Sequence, residues 1–274
     1  MELDYGWLAA LSVALLATGV IAGVLAGLLG VGGGIVIVPV LFQMFSFLDI
    51  DPSVRMHLAV GTSLATIIPT SIVSARAHHR RGAVDFDLLK SWGPAVLVGV
   101  LIGTAVGGYV KGQVLTGVFA VVALAVAANM AFRPEGSTVS DHLPGGVWKH
   151  AIGVVIGVFS AMMGIGGGTL SVPILGAFSY PIRRAVGTAA AIGLIIAIPG
   201  TAGFVLAGLD VPARPPASLG YVNLIGFALI VPTTMLAAPF GAKIAHTINP
   251  GLLRKAFALF LFLTSLRMIY GLVT

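Results

Sequence analysis

Two short stretches hold most of the residues in this chain that could do chemistry. Gly30-Val31-Gly32-Gly33-Gly34 runs into Ile35-Val36-Ile37-Val38-Pro39, and Gly164-Ile165-Gly166-Gly167-Gly168 runs into Thr169-Leu170-Ser171-Val172-Pro173, with glycines and proline at the same spacing. Glycine lowers the cost of left-handed and tightly turned backbone and lets another segment or a ligand come close to the main chain. A helix that restarts after such a break presents N–H groups without intrahelical acceptors and the positive end of its dipole, which attract anions. The candidate chemistry is anion binding by the backbone amides of Gly32, Gly33, Gly34, Gly166, Gly167, Gly168 and Thr169, with Pro39 and Pro173 shaping the helices that follow. Hydroxyl donors stand a little further on. Ala59-Val60-Gly61-Thr62-Ser63 is matched by Ala185-Val186-Gly187-Thr188-Ala189, which puts Thr62 and Thr188 in equivalent places with Ser63 beside the first. Two plainer roles stay open: glycines that only let helices cross closely, and hydroxyls that only bond back to a helix carbonyl.

Other chemistries find little support. Neither glycine cluster completes a G-x-G-x-x-G, and neither has the Lys-Ser/Thr that closes a phosphate-binding loop. There is no cysteine, so thiolate metal sites and disulfides are absent. Gly61-Thr62-Ser63 beside His57 is not a serine-protease elbow, and the apolar segments lack carboxylate pairs and metal-ligand clusters. We expect no enzyme activity, no metal and no cofactor. His57 reads as a loop or interface histidine, Arg267 as an arginine snorkelling from the last segment, and Arg76-Ala77-His78-His79-Arg80-Arg81 as an anchor at anionic headgroups.

The elements that must position these residues follow from composition. The 274 residues are 58% hydrophobic and only 9% charged, with mean hydropathy +1.06, where soluble domains are about 25% charged. This is the composition of a polytopic membrane protein, and the lipid bilayer is its first partner. The net charge of +6 then belongs to short loops between spans, not to a nucleic-acid-binding surface. Met1 to Trp7 carries Glu2 and Asp4 but no Lys or Arg, so the first span is expected to be retained rather than cleaved as a signal. Apolar segments fall at 7–29, 35–47, 57–77, 91–110, 113–132, 148–163, 168–180, 185–207, 219–242 and 252–273. Segments 35–47 and 168–180 are short for a crossing and read as half-helices, spanning or re-entrant. Glycines at four-residue spacing, Gly19/Gly23/Gly27, Gly99/Gly103/Gly107 and Gly153/Gly157, read as helix-packing stripes.

The repeated motif divides the chain into an N-terminal repeat, 1–133, a connecting loop, 134–147, and a C-terminal repeat, 148–274. The fold class is all-α, with two repeats of about five segments, eight to ten in total. An odd number per half inverts one repeat relative to the other. Placing the amino terminus on one side puts Arg76, Arg80, Arg81, Lys90, Arg133, Lys149, Arg183, Arg184, Lys243, Arg254 and Lys255 on the opposite side, against Arg55, Lys111 and Arg214. That opposite side is expected to be cytoplasmic, with both termini outside it, in the cell membrane. Inverted halves can bring two glycine-broken helix ends together near the midplane, as in secondary transporters.

The duplicated glycine-rich segment followed by a hydrophobic run and proline, in a chain of this length and span count, resembles the TauE/SafE family of sulfite and organosulfonate transporters. The resemblance covers nearly the whole chain. It implies an integral membrane transporter of small sulfur-containing anions, such as sulfite, thiosulfate or sulfoacetate, often acting in export. The sulfur comes from the resemblance alone, while the preference for an anion agrees with the helix ends. An anion channel, or a uniporter for another small anion, is the alternative, and a homodimer is left open.

Overall fold

The computed structural model describes residues 5–132, 138–244 and 250–273. Ten helices occupy them: α1 Tyr5–Leu29, α2 Gly34–Phe47, α3 Pro52–His79, α4 Phe86–Gly107, α5 Gly112–Phe132, α6 Gly146–Met163, α7 Gly168–Ala177, α8 Ile182–Gly208, α9 Leu224–Ile244 and α10 Pro250–Val273. The chain is thus an all-α polytopic membrane protein. Seven of these helices, α1, α3, α4, α5, α6, α8 and α9, are long and apolar enough to cross a bilayer. With 14 and 10 residues, α2 and α7 are about 21 and 15 Å long at 1.5 Å per residue. Both fall short of a hydrocarbon core of about 30 Å. One element differs from expectation. Instead of a helix from 219, Ser218–Leu219 and Val222–Asn223 form a small antiparallel hairpin, turned by Gly220 at φ 54, and α9 starts at Leu224.

The order long, short, long, long, long occurs twice, as α1–α5 and α6–α10. The two sets interlock. α1 lies along α9 and α6 along α4, while α3 packs on α8 and α5 on α10. The small-residue stripes form the first two of these seams. Gly19, Gly23 and Gly27 face Ile230 to Ala242 of α9, and a Cβ on Gly27 would sit 1.9 Å from Ala238 O. Gly99 and Gly103 meet Val154 and Val158, and Gly157 meets Val96, where a Cβ would come within 2.2 Å of its carbonyl. Backbones this close need residues without a side chain, which is why the glycines recur once per helical turn.

The connections gather at two ends. His57 near the start of α3, Val110 between α4 and α5, and Tyr221 between α8 and α9 are in contact. At the other end, Asp85 between α3 and α4 meets Tyr180 and Arg184 of the α7–α8 corner, and Val139 N donates to Ala177 O. The first end carries Arg55, Lys111 and Arg214, and the second Arg76, Arg80, Arg81, Arg183 and Arg184. Arg133 and the side chain of Arg254, counted with the second group above, lie outside the described residues, as does part of the expected loop 134–147.

Candidate functional site: the crossing of two broken helix pairs

The two glycine breaks pack on each other, backbone against backbone. A Cβ on Gly34 would lie 2.3 Å from Gly164 O, one on Gly166 would lie 2.4 Å from Val31 O, and one on Gly168 would lie 2.4 Å from Gly30 O. The pairing order is antiparallel, with Gly32 and Gly166 at its centre. The breaks are built differently. Gly30, Gly32 and Gly33 all take positive φ, whereas in the second break only Gly164 does. Gly166, Gly167 and Gly168 are needed for closeness rather than for φ: 2.4 Å to backbone at Gly166 and Gly168, and 2.7 Å to Ile192 Cγ2 at Gly167.

A helix end buried at a break leaves polar groups that must be met. At the end of α1, Gly30 N returns to Ala26 O, His78 Nε2 bonds Gly27 O at 2.9 Å, and Ser74 Oγ donates to Ala26 O at 3.4 Å. His78 is 2% exposed, so it departs from the surface anchor expected of the Arg76–Arg81 run. At the second break, Ser63 Oγ donates to Gly164 O at 2.7 Å. The first backbone bonds of the restarted helices run from Val36 and Ile37 to Gly33 O, and from Ser171 to Gly167 O. The amides of Gly34, Ile35, Gly168 and Thr169 therefore open their helices with N–H groups unmatched within the helix. Pro39 and Pro173 sit inside α2 and α7. Lacking N–H, they leave the carbonyls of Ile35 and Thr169 without the usual helical donor.

Thr62 and Thr188 are equivalent in place and in role. Thr62 Oγ1 accepts from Asn223 N at 2.8 Å, and Thr188 Oγ1 accepts from Asp85 N at 2.9 Å. Asn223 Oδ1 in turn accepts from Gly226 N, and Asp85 Oδ1 from Asp87 N and Leu88 N, so each residue caps its helix, α9 or α4. Both threonines are fully buried, and their hydroxyls hold the starts of neighbouring helices. Their partners lie over a hundred residues away in sequence; matching Asp85 and Asn223 as caps across the repeats would have been the signal. Asp85 also accepts from the Tyr180 hydroxyl. The Leu88 amide first, then Tyr180, hold its carboxyl below the ordinary value, and burial with that same bond raises the Tyr180 phenol.

A pocket adjoins the crossing. A small pocket of about 40 Å³ is lined by Leu29, Val31, Met130, Gly168, Thr169, Val172 and Pro173, room for a few waters. Thr169 is 2% exposed, and its Oγ1 has no hydrogen-bond partner. On the α2 side, Gly34 to Val38 are all buried. The structure thus brings Gly168, Thr169 and Pro173 to one pocket. Gly32 and Gly34 lie at the crossing with Gly166 and Ser63, Gly33 backs onto Ala22 and Gly167 onto Ile192, and Thr62 and Thr188 stand at the helix caps. Arg267 is exposed on α10. His57 is 3% exposed, bonds Val110 O through Nε2 at 2.9 Å and stacks on Tyr221 at 4.7 Å.

The sequence pattern of the family described as "Sulfite exporter TauE/SafE" matches residues 15–268. The chain belongs to the TauE/SafE family. Its relatives are named as transporters. A "Probable membrane transporter protein" of Haemophilus influenzae is 33% identical, with 92% of this chain and 96% of that protein aligned. The "Probable membrane transporter protein MJ0441" of Methanocaldococcus jannaschii is 28% identical over 88% of each chain. YunE of Bacillus subtilis, another probable membrane transporter, is 28% identical over 86% of this chain and 88% of its own. No solved structure matches. This TauE/SafE chain is accordingly a membrane transporter by family, with the two glycine breaks and their crossing inside the matched span.

Proposed function

We propose that this protein is a secondary transporter of small sulfur-containing anions, and that the anion is held at the start of α7. The carrying observation is Thr169, whose buried hydroxyl lacks a partner and lines a pocket at a helix N-terminus. In this reading the amides of Gly168 and Thr169, the positive dipole end and the Thr169 O–H serve as the donors for an oxyanion once the site opens. Sulfur as the substrate element rests on the family description. The pocket has room for only a few waters, and in this reading the crossing loosens during transport, first toward one face and then the other. The direct contact of the breaks favours a carrier over a continuously open channel. The Arg-rich end is assigned to the cytoplasm, with export as the direction.

A thermal-shift screen of detergent-solubilised protein against sulfite, thiosulfate, sulfoacetate, taurine, sulfate, phosphate and chloride tests this reading. A ligand of the folded state raises its apparent stability. Stabilisation by a sulfur anion that disappears in Thr169→Val is expected. An equal response to every anion, or a response unchanged in Thr169→Val, overturns the site.

A further inference from the structure

The third helix carries a line of hydroxyls that its counterpart lacks. Ser63, Thr66, Thr70, Ser74 and His78 recur at three- and four-residue intervals, with Ser71 beside Thr70, and share one face of α3, and every one is buried. The line starts at the crossing, where Ser63 Oγ meets Gly164 O. Thr66 donates to Ser63 O, Thr70 to Thr66 O, with Thr234 Oγ1 of α9 2.8 Å from the Thr70 hydroxyl, and Ser74 and His78 reach the last carbonyls of α1. It ends among the exposed Arg76, Arg80 and Arg81. Ser71 Oγ, 1% exposed, has no partner and faces Gly193 of α8, where a Cβ would lie 2.6 Å from it.

Packing alone does not call for these hydroxyls. α8 does the equivalent work, crossing α3 and packing on α4 as α3 packs on α9, yet residues 189–200 contain no serine or threonine. Beyond them, toward the opposite end, the face of α8 carries the ring of Phe204, edge-on to Tyr221. The leg along α3 is therefore lined with hydroxyls from the crossing onward, while on α8 the first hydroxyl beyond Thr188 is Thr201, whose buried Oγ1 has no partner. A hydroxyl that now donates to a helix carbonyl can turn its proton to an oxyanion for the loss of one hydrogen bond. That suits passage, which needs sites weak enough to leave, and a rim of arginines concentrates anions at the mouth. Asp85 at the same end is engaged by Tyr180 and Arg184. Ile67, fully buried, lies on the same face next to Gly32, with its Cγ2 3.0 Å from where a Cβ there would sit, and closes the line at the crossing.

We infer that this face of α3 is the leg of the transport path between the crossing and the Arg-rich end, and that small oxyanions pass along its hydroxyls. The inference rests on the transport reading above and adds the route. The chain has no cysteine, so single-cysteine variants report accessibility directly. Ser71→Cys and Ser74→Cys, with Ile196→Cys as the α8 control, are treated in sealed vesicles of each orientation with a membrane-impermeant, negatively charged methanethiosulfonate, with and without sulfoacetate. The expected result is modification of Ser71→Cys and Ser74→Cys from the Arg-rich face only, slowed several-fold by sulfoacetate, with Ile196→Cys unreactive from that face. Variants that are monodisperse but unreactive, or that react from the opposite face, overturn the route. Sulfoacetate, sulfite and thiosulfate flux by the unmodified protein in proteoliposomes is measured alongside. Flux without modification removes the route and keeps the transport reading. Modification without flux of any sulfur anion leaves a water-filled leg but overturns both that reading and the assigned ligand.

Discussion

Gly32 and Gly166, 134 positions apart and equivalent in the two repeats, touch backbone to backbone. A Cβ on Gly32 would lie 3.3 Å from Gly166 Cα, and one on Gly166 would lie 3.1 Å from Gly32 Cα. The repeat thus meets itself at its most conspicuous motif, and that contact decides what each glycine can tolerate.

Gly34→Ala and Gly166→Ala place a methyl within 2.3 and 2.4 Å of carbonyl oxygens. Each is expected to cost about 1–3 kcal/mol, the usual range for overpacking. Gly167→Ala meets Ile192 Cγ2 at 2.7 Å and Ala189 O at 3.0 Å, longer approaches than those two, and keeps an ordinary φ of −56 at residue 167, so it should cost less. Unfolding midpoints in detergent give the order, and a Gly166→Ala protein as stable as wild type would deny the close crossing. Gly33→Val is a poor probe of binding, because φ 80 and Ala22 O at 2.9 Å penalise folding first.

Thr169→Val keeps the volume of the side chain and removes a hydroxyl that has no partner. Replacing an unsatisfied buried donor by a methyl should leave stability unchanged or slightly raised. Anion-dependent stabilisation should fall at the same time. Comparing melting curves with and without sulfite separates the two effects.

Thr62→Val and Thr188→Val each strand a backbone N–H, of Asn223 or Asp85. A loss of about 1–3 kcal/mol is expected for each. Because the sites are equivalent, the two losses should be similar, which paired unfolding measurements check.

Asp85→Asn keeps a capping oxygen for α4 but removes the charge beside Tyr180 and Arg184. The carboxyl is held below its ordinary value of 3.8, so its contribution is complete above that pH and is lost as pH falls through its lower folded value. The midpoint difference between wild type and Asp85→Asn should be flat through neutral pH and shrink only below about pH 4. A difference that shrinks between neutral pH and about pH 5 would mean that the carboxyl is not held down.

The fold was legible because its signals are local. Ten apolar segments, glycines at one-turn spacing and a repeated break are periodicities within a window, and they map onto α1–α10, the α1–α9 and α4–α6 seams, and the crossing. What sequence could not reveal is which distant group each side chain meets. Thr62 and Thr188 were legible as a pair, but their bonds to Asn223 and Asp85 exist only after α9 and α4 are docked. His78 reads as surface because arginines surround it, yet helical periodicity turns its ring inward to Gly27 O. Near-identical motifs also hide that the start of α7 lines a pocket together with Leu29, Val31 and Met130, because those neighbours come from distant segments.

The central claim is that a sulfur oxyanion is carried through the start of α7. Counterflow of radiolabelled sulfite into proteoliposomes tests it most directly, with wild type beside Thr169→Val at matched, folded reconstitution. The account predicts sulfite accumulation driven by unlabelled sulfite inside, resistant to competition by chloride, and reduced at least tenfold in Thr169→Val. Counterflow of equal rate in the two proteins would contradict the site, and absence of counterflow in folded wild type would contradict sulfite as the substrate.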